Sequence, residues 1–156
     1  MVNVYIFSQK QFNKIMKDMS WYDDTIDMIT DTAIVSICNT DRSMIHWFAD
    51  KHNNVLNLDF DDVLFTDEEA GIFALNDEQA KILVDFFEEH KDVQNFIVHC
   101  EAGISRSAAV AVCFVDFLHM NGKKDITLHK NYAFSPNPLV ERLLHREFVN
   151  RNTDTI

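Results

Sequence analysis

Short apolar runs alternate along this chain with segments whose apolar residues recur at the spacing of a helix. Runs of this length, bounded by polar residues, are typical of strands buried in a parallel sheet. In the third run, Leu56, Leu58 and Phe60 share one face, because successive side chains of a strand point to opposite sides. The pattern predicts four strands, at residues 2–7, 33–38, 55–60 and 96–98.

Helix-start signals follow two of these strands. Ser8 with Gln11 and Asn76 with Gln79 are capping-box patterns, in which each side chain of the pair binds the backbone N–H of the other residue. They predict helices that continue to about residues 17 and 89. A third helix is predicted at 108–120, where apolar residues occupy most of the helical circumference, as they do in a buried helix.

Three more helices are predicted in the remaining segments. Asn137 followed by Pro138 is a typical helix start, because proline suits the first helical position. The inward face of this last helix is predicted to contain Val140, Leu143, Leu144 and Phe148. Short helices are also predicted at 44–49 and, with Asp125 as the cap, from there to residue 132.

Strands that alternate with helices predict an α/β fold. We expect a mostly parallel central sheet of four to five strands flanked by helices. A chain of 156 residues is long enough for one domain with a substantial core, and 47% hydrophobic residues are typical of a folded protein. No repeat or linker divides the sequence, so one domain over residues 1–156 is expected.

Composition and charge indicate the cellular compartment of the protein and the class of its partners. Three cysteines, without the spacing of a disulfide framework, indicate a chain that is kept reduced. No run of residues suits a membrane span, and the start lacks the regions of a signal peptide, so a cytoplasmic protein is expected. The formal net charge of -11 argues against nucleic acid and anionic membranes as partners, since these are usually bound by a basic face.

The segment at residues 99–107, His-Cys-Glu-Ala-Gly-Ile-Ser-Arg-Ser, contains the strongest chemical signal. It joins a predicted strand to a predicted helix, and the free N–H groups and the dipole of a helix start favour an anion. Gly103 allows a tight loop whose N–H groups converge on one ligand. We interpret the segment as a phosphate-binding catalytic loop.

Three side chains of this loop suit a covalent reaction at phosphorus. Cys100 lies at its start, where the field that attracts phosphate also favours a thiolate. Arg106 is able to fold back and hold two phosphate oxygens in a bidentate geometry that lysine cannot reproduce. Ser107 adds a hydroxyl near the sulfur, which would assist the breakdown of a covalent intermediate.

His-Cys-x5-Arg followed by Ser or Thr resembles the cysteine-dependent protein tyrosine phosphatase superfamily, and the short chain resembles its compact dual-specificity branch. The resemblance implies hydrolysis of protein phosphotyrosine, with phosphoserine or phosphothreonine as further substrates, through a phosphocysteine and without metal or cofactor. The partner would be a phosphorylated protein or peptide. His99 would hydrogen-bond the backbone and stabilise the thiolate. The phosphate would be bound by Glu101, Ala102, Gly103, Ile104, Ser105 and Arg106.

The resemblance also implies an aspartate on a separate upstream loop, which protonates the leaving oxygen. Asp62, just after the third strand, is the preferred candidate because of its register along that strand. Asp61 and Asp67 remain alternatives, since Asp62 precedes Cys100 by more residues than is usual in the compact enzymes. Residues 63–75 then form an insertion, either a lid or a packed loop, and a packed loop is the safer interpretation.

Two more roles come from the resemblance. Pro136-Asn137 resembles the Pro-Asn before the final helix of dual-specificity enzymes, whose asparagine braces the catalytic loop; Asn137 is also an ordinary N-cap, and the two roles are compatible. Cys38 ends the second strand and is a candidate redox partner, forming a reversible disulfide with Cys100 that prevents over-oxidation. The alternative for Cys38 is a small buried core residue, and Cys113 is predicted only to pack.

Other interpretations stay open. No metal site is predicted, because the seven histidines lack zinc-binding spacing and the acidic residues at 23–31 match no calcium loop and predict a solvated face. The same loop would also serve a phosphatase for lipid, sugar or RNA phosphates. The negative net charge argues against such polyanions, as does Glu101, at a position where lipid-directed members of the superfamily tend to carry basic residues. A phospho-binding module without turnover is a third interpretation.

Overall fold

The computed structural model of the protein describes residues 1–154, so positions 155 and 156 of the predicted domain lie outside the described residues. Its strands are β1 (Val2–Ser8), β2 (Thr32–Cys38), β3 (Val55–Asp59), β4 (Asn95–Cys100) and β5 (Ile126–His129). Its α-helices are α1 (Gln9–Met19), α2 (Asp77–Glu89), α3 (Arg106–Met120) and α4 (Pro138–Asp154), and a 3-10 helix spans Ile26–Met28. The predicted α/β fold class is confirmed.

The strands form one sheet in the order β3-β2-β4-β1-β5, and every neighbouring pair is parallel. β4 occupies the centre, so Cys100 ends the middle strand of the sheet. Cys100 is paired with Ser8 of β1. Because all the strands run the same way, the loops that follow β1, β2, β3 and β4 meet at one edge of the sheet. That edge carries the candidate site, as is usual for parallel sheets.

Helices cover the sheet on both faces. On one face α2, α3 and α4 pack with strand residues such as Ile6 and Val98 in the larger hydrophobic core. On the other face Phe12 and Met16 of α1 pack with Ile97 of β4. The predicted inward face of α4 is buried. None of the helices among the described residues is long and apolar enough to cross a membrane.

Local signals placed the helix starts correctly. The Ser8–Gln11 and Asn76–Gln79 pairs form complete capping boxes, at the starts of α1 and α2. Each box satisfies two N–H groups that the first turn of a helix leaves without an intrahelical partner. The capping-box predictions are therefore confirmed.

Two predicted short helices are wrong. Residues 44–49 are irregular, because their polar groups bind distant parts of the chain. Trp47 donates to the Trp21 carbonyl at 2.7 Å, the Ala49 N–H donates to Asp23 at 3.1 Å, and His46 binds Asp59. The segment that Asp125 was expected to cap as a helix is instead β5. It pairs in parallel with β1, whose backbone groups on that side need a partner.

His52 is a buried side chain that contacts two carboxylates of the acidic segment at 23–31. Its Nε2 lies 2.7 Å from Asp23 and its Nδ1 lies 2.9 Å from Asp27, so both ring nitrogens face carboxylates and the imidazolium fits best. The hydrogen bond with Asp23 raises the pKa of His52; burial opposes this rise, and Asp27 adds to it. The prediction of a solvated acidic face overlooked this pair of contacts.

Stability is expected to depend on this pair. A pKa raised by folding contributes stability that is complete below the unfolded value, near 6.5, and is lost as the pH rises through the folded value. His52→Gln should therefore lower the free energy of unfolding by about 1–2 kcal/mol at slightly acid pH, and by progressively less as the pH rises. Urea titrations of both proteins across the pH range test this, and a difference that is independent of pH would contradict it.

Candidate active site

The candidate loop connects the central strand to the most deeply buried helix. β4 ends at Cys100 and α3 begins at Arg106, so residues 101–105 form the connection that the sequence predicted. Cys100 and Arg106 are both buried. The loop therefore lies at the middle of the carboxyl edge, with its two reactive side chains held by regular structure on either side.

Gly103 adopts a conformation that other residues rarely adopt. Its φ is +70°, and a Cβ atom at this position would lie 2.5 Å from the Ser8 nitrogen and 2.7 Å from the Phe7 carbonyl carbon. These neighbours are backbone atoms of β1 and cannot move aside like a flexible side chain. Gly103 is therefore required both by its left-handed φ and by the close approach of β1.

The carbonyl groups of the loop are bound from outside. Four of them accept hydrogen bonds at 2.9–3.1 Å, three from backbone N–H groups and one from a side-chain amide. The acceptors are the carbonyls of Glu101, Gly103, Ile104 and Ser105, and their respective donors are Gln9, the Asn131 side chain, Ser135 and Asn137. The loop is thus anchored by α1 and by the segment that leads into α4.

This anchoring sets the direction of the loop N–H groups. In a trans peptide the C=O and the following N–H point in opposite directions, and the described residues contain no cis peptide. The N–H groups of residues 102, 104, 105 and 106 therefore point away from the outer donors, toward the inner side of the loop. Such an arrangement of amides suits an anion.

Cys100 and Ser107 lie together at the base of the loop. The Cys100 Sγ is 3.1 Å from the Ser107 Oγ, and both residues are buried. A serine hydroxyl at this distance is able to donate a hydrogen bond to a thiolate. The structure thus brings together the two side chains that the sequence assigned to the formation and breakdown of a covalent intermediate.

Arg106 presents an unused donor at the same place. Its Nη1 donates to the Phe60 carbonyl at 2.7 Å, and the residue is only 3% exposed. Its Nε is buried and has no acceptor among the residues that the structure describes. A buried cation with an unsatisfied N–H is costly without an anionic partner. The guanidinium edge that includes Nε is therefore suited to a phosphate.

Asp62 contacts the candidate loop directly. Its Oδ1 accepts a hydrogen bond from the Ser105 hydroxyl at 2.7 Å and a second from the Asn137 side-chain amide at 2.9 Å. The residue itself is exposed, so its other oxygen remains accessible. Of the three candidate acids, Asp62 is the one that hydrogen bonds join to the loop.

Asp61 and Asp67 have other contacts. Asp61 accepts hydrogen bonds from the Thr40 N–H at 3.0 Å, the Thr40 hydroxyl at 2.5 Å and the Phe73 N–H at 2.8 Å. Burial by itself would raise the pKa of Asp61, but these bonds and the Arg106 charge lower it overall, which disfavours a proton donor. Asp67 is exposed and pairs with Ile72 in a turn of the insertion.

The insertion at 63–75 is packed in part. Ala74 and Leu75 are buried in the larger core, whereas Leu64, Phe65 and Phe73 are exposed. The interpretation as a packed loop therefore fits Ala74 and Leu75, but it does not fit the exposed side chains of Leu64, Phe65 and Phe73.

Asn137 makes the contacts of both roles considered for it. Its side-chain oxygen accepts from the N–H groups of Leu139 and Val140 at 2.9 and 3.2 Å, as an N-cap does. Its backbone N–H donates to the Ser105 carbonyl at 3.1 Å, and its side-chain amide donates to Asp62. Asn137 therefore joins α4, the loop and the candidate acid.

His99 contacts the backbone carbonyl group of Cys100. Its Nδ1 lies 3.4 Å from the Cys100 carbonyl oxygen, and its Nε2 lies 2.7 Å from the Ser36 hydroxyl. Its ring stacks on Phe12 with the centroids 4.1 Å apart. Burial lowers the pKa of His99 to about 4, so the ring is neutral near pH 7 and carries one N–H.

The side chains of Cys38 and Cys100 project from opposite faces of the sheet, and the disulfide between them stays a prediction. Ser36 binds His99, so these two side chains share a face of the sheet. Cys38, two residues after Ser36, projects from that same face, whereas Cys100 projects from the opposite one. Burial, followed by the charge of Asp59, raises the pKa of Cys38 to about 11. The candidate disulfide with Cys100 would require local rearrangement.

Sequence reasoning missed His46 and Asp59. The His46 Nδ1 lies 3.3 Å from the Cys38 Sγ, and its Nε2 lies 2.6 Å from Asp59. Potential metal-ligand atoms of Cys38, His46 and Asp59 lie within 4.8 Å of one another, a trio that the sequence did not predict. The available signal was that Cys38 and Asp59 end neighbouring strands; His46 comes from an irregular segment that gives no such signal.

The carboxyl edge of the sheet thus combines a buried thiol, a hydroxyl beside it, a buried guanidinium, inward-facing amides and a carboxylate bound to the loop. Chemically, this set offers a nucleophile, an anion-binding site and a candidate proton donor at one edge of the sheet. No protein-family model matches the chain, and a search of curated proteins finds no match.

Proposed function

We propose that this protein is a phosphatase that hydrolyses protein phosphotyrosine, and phosphoserine or phosphothreonine as well, through a phosphocysteine intermediate. The observation that carries the proposal is the direction of the loop amides. Four N–H groups face the inner side of the loop that begins at Cys100, and Arg106 adds a buried N–H without an acceptor among the described residues. Tetrahedral phosphate oxygens are natural acceptors for such a set of donors.

In the proposed first step, the Cys100 thiolate attacks phosphorus in line with the leaving oxygen. The P–S bond forms as the P–O bond to the leaving group breaks, and Asp62 transfers its proton to that oxygen. The loop amides and Arg106 stabilise the charge that the equatorial oxygens carry in the transition state. The products of this step are the dephosphorylated residue, phosphocysteine and ionised Asp62.

In the second step, ionised Asp62 accepts a proton from water as that water attacks phosphorus. The P–S bond breaks, inorganic phosphate leaves and the thiolate returns. Ser107, 3.1 Å from the sulfur, donates a hydrogen bond that stabilises the departing thiolate. These side chains supply the nucleophile, the proton and the phosphate clamp, so the proposed reaction includes no metal or cofactor.

The geometry of Asp62 suits its proposed role. Both of its hydrogen bonds are accepted by Oδ1, one from Ser105 of the loop and one from Asn137, which binds the loop. Oδ2 is left to carry the proton and to face the leaving oxygen. Two donors on one oxygen hold the carboxyl group at the rim, so the substrate does not have to order it.

We further propose a phosphorylated protein or peptide as the partner and the cytoplasm as the location. The net charge of -11 and Glu101 in the loop disfavour nucleic acids, membranes and other polyanions. Cys38, Cys100 and Cys113 are all free thiols, which a reducing compartment would preserve.

The proposal is tested by measuring phosphate release from a phosphotyrosine peptide, with a phosphoserine peptide and a soluble inositol phosphate for comparison. Sustained release that is fastest with the phosphotyrosine peptide is the expected result. Faster release from the inositol phosphate would assign the loop to a non-protein substrate. Tight peptide binding without any release would instead identify a phospho-binding module.

A further inference from the structure

A chain of hydrogen-bonding groups leads from the protein surface to the candidate nucleophile. Asp59 Oδ1 lies 2.6 Å from His46 Nε2, and His46 Nδ1 lies 2.7 Å from the Ser36 Oγ. The same Ser36 Oγ lies 2.7 Å from His99 Nε2, and His99 Nδ1 faces the Cys100 carbonyl oxygen at 3.4 Å. Asp59 is exposed, whereas Ser36 and His99 are fully buried.

Few placements of the hydrogen atoms along this chain are chemically consistent. An ionised Asp59 only accepts, so the Nε2 of His46 carries a hydrogen. Ser36 has a single hydroxyl proton and two imidazole nitrogens at 2.7 Å, so it donates to one of them and accepts from the other. His99 is neutral because burial lowers its pKa to about 4, and it therefore has one N–H to place.

Two arrangements satisfy these conditions. When His46 is an imidazolium, its Nδ1–H donates to Ser36, Ser36 donates to His99 Nε2, and the N–H of His99 is on Nδ1, aimed at the Cys100 carbonyl. When His46 is neutral, every bond reverses. Ser36 then donates to His46 Nδ1, His99 donates to Ser36 from Nε2, and a lone pair on Nδ1 of His99 faces the carbonyl.

We propose that His46 and Asp59 are positioning residues, and that the protonation of His46 selects which nitrogen of His99 carries the proton beside Cys100. A donor at the Cys100 carbonyl offsets negative charge at the nucleophile, whereas a lone pair adds to it. The hydrogen-bond switch rests on these contact distances and on the burial of His99. Its effect on turnover rests on the proposed phosphatase function.

Titratable groups from β2 and β3 face the His46 ring. Asp59 from β3 faces Nε2 at 2.6 Å. Cys38 from β2 lies 3.3 Å from Nδ1 and is a thiol near neutral pH, because its pKa is raised to about 11. The charge of Arg106 on α3 also acts on both Cys38 and His99.

The same trio could be taken for a metal site, but the contacts fit a hydrogen-bonded chain better. Cys38 faces Nδ1 of His46, whereas Asp59 faces Nε2, so the two partners lie at different nitrogens of one ring. A metal ion binds only one of these nitrogens. The 2.6 Å separation of Asp59 Oδ1 and His46 Nε2 is a hydrogen-bond distance.

The test is a pH titration of the histidine ring nitrogens by 15N NMR, which distinguishes a nitrogen that carries hydrogen from one that does not. We expect the proton of His99 to move from Nδ1 to Nε2 over the same pH range in which His46 loses its charge. A His99 that keeps one tautomer throughout the titration of His46 would overturn the proposal. Stoichiometric binding of zinc, which shifts the nitrogen signals of His46 and ligates the Cys38 thiolate, would also overturn the proposal.

His46→Gln provides the matched variant, because it removes the titrating ring from the chain. His99 should then keep a single tautomer across about pH 5–9. His145→Gln is the control, since His145 also lies beside an aspartate, Asp116 at 2.9 Å, and beside a cysteine, Cys113 at 3.8 Å, but on α3 and α4. The control should leave the His99 switch unchanged; loss of the switch in both variants would contradict the proposal.

The activity assay adds a second readout. His46→Gln should lower kcat/KM by about tenfold on the acid side of the pH profile, the effect of one hydrogen bond near the reacting charge, and by less on the alkaline side. A uniform loss across pH would indicate a structural role and would contradict the proposal. If the native protein releases no phosphate, the proposed function fails, and the NMR titration still decides whether the switch exists.

Discussion

Cys100→Ser is expected to reduce phosphate release from a phosphotyrosine peptide by a factor on the order of 10³–10⁵. A serine hydroxyl stays protonated near neutral pH and is a far weaker nucleophile than a thiolate, so the phosphoenzyme does not form. The loop amides and Arg106 are unchanged, so the variant should still bind the peptide. Steady-state release together with peptide binding by calorimetry measures the two effects separately.

Cys113→Ser is the matched control for this substitution. Cys113 is buried in α3, and burial raises the pKa of its thiol, which keeps it protonated and unreactive. The control should retain turnover once its folding is verified by thermal unfolding. Unchanged turnover in Cys100→Ser, or equal loss in the two variants, would contradict the assignment of Cys100 as the nucleophile.

Asp62→Asn is expected to lower kcat on a phosphotyrosine peptide by a factor of about 10²–10³, because an amide cannot donate the proton that the leaving oxygen requires. The loss should be smaller with an aryl phosphate whose leaving group is acidic enough to depart as an anion. The dependence of kcat on leaving-group acidity should therefore become steeper in the variant. Kinetics on a series of substituted phenyl phosphates measure this slope.

Asp61→Asn and Asp67→Asn separate the acid from its neighbours. Asp61→Asn disturbs the hydrogen bonds with Thr40 and Phe73, so it should lower thermal stability and leave the leaving-group slope unchanged. Asp67→Asn changes an exposed turn and should be close to neutral in both respects. A steeper slope in either of these variants, with a normal slope in Asp62→Asn, would move the role of general acid to that residue.

Helix starts and the candidate loop were predictable because their signals are local. A capping box such as Ser8–Gln11 is complete within four residues, and the same residues make its hydrogen bonds in the folded chain. Likewise, the spacing from Cys100 to Arg106 and the glycine between them lie on one continuous segment. The apolar strands of a doubly covered parallel sheet are equally apparent, because both of their faces are buried.

Elements that depend on a distant partner were not predictable in this way. The segment after Asp125 has a capping residue, yet it becomes β5 because the free side of β1 offers it a row of hydrogen bonds. Residues 44–49 do not form a helix, because Trp47 binds the Trp21 carbonyl and His46 binds Asp59. In both places tertiary hydrogen bonds outweigh a weak local preference.

The sequence alone was sufficient for the α/β class, the order of the main elements and the group of residues around Cys100, since adjacency along the chain imposes them. The folded chain was needed to separate Asp62 from Asp61, because one carboxylate turns to Ser105 and Asn137 and the other to Thr40 and Phe73. It also brought Cys38 next to His46 and Asp59. Side-chain direction at a sheet edge depends on strand register and on partners tens of residues away, which local patterns do not encode.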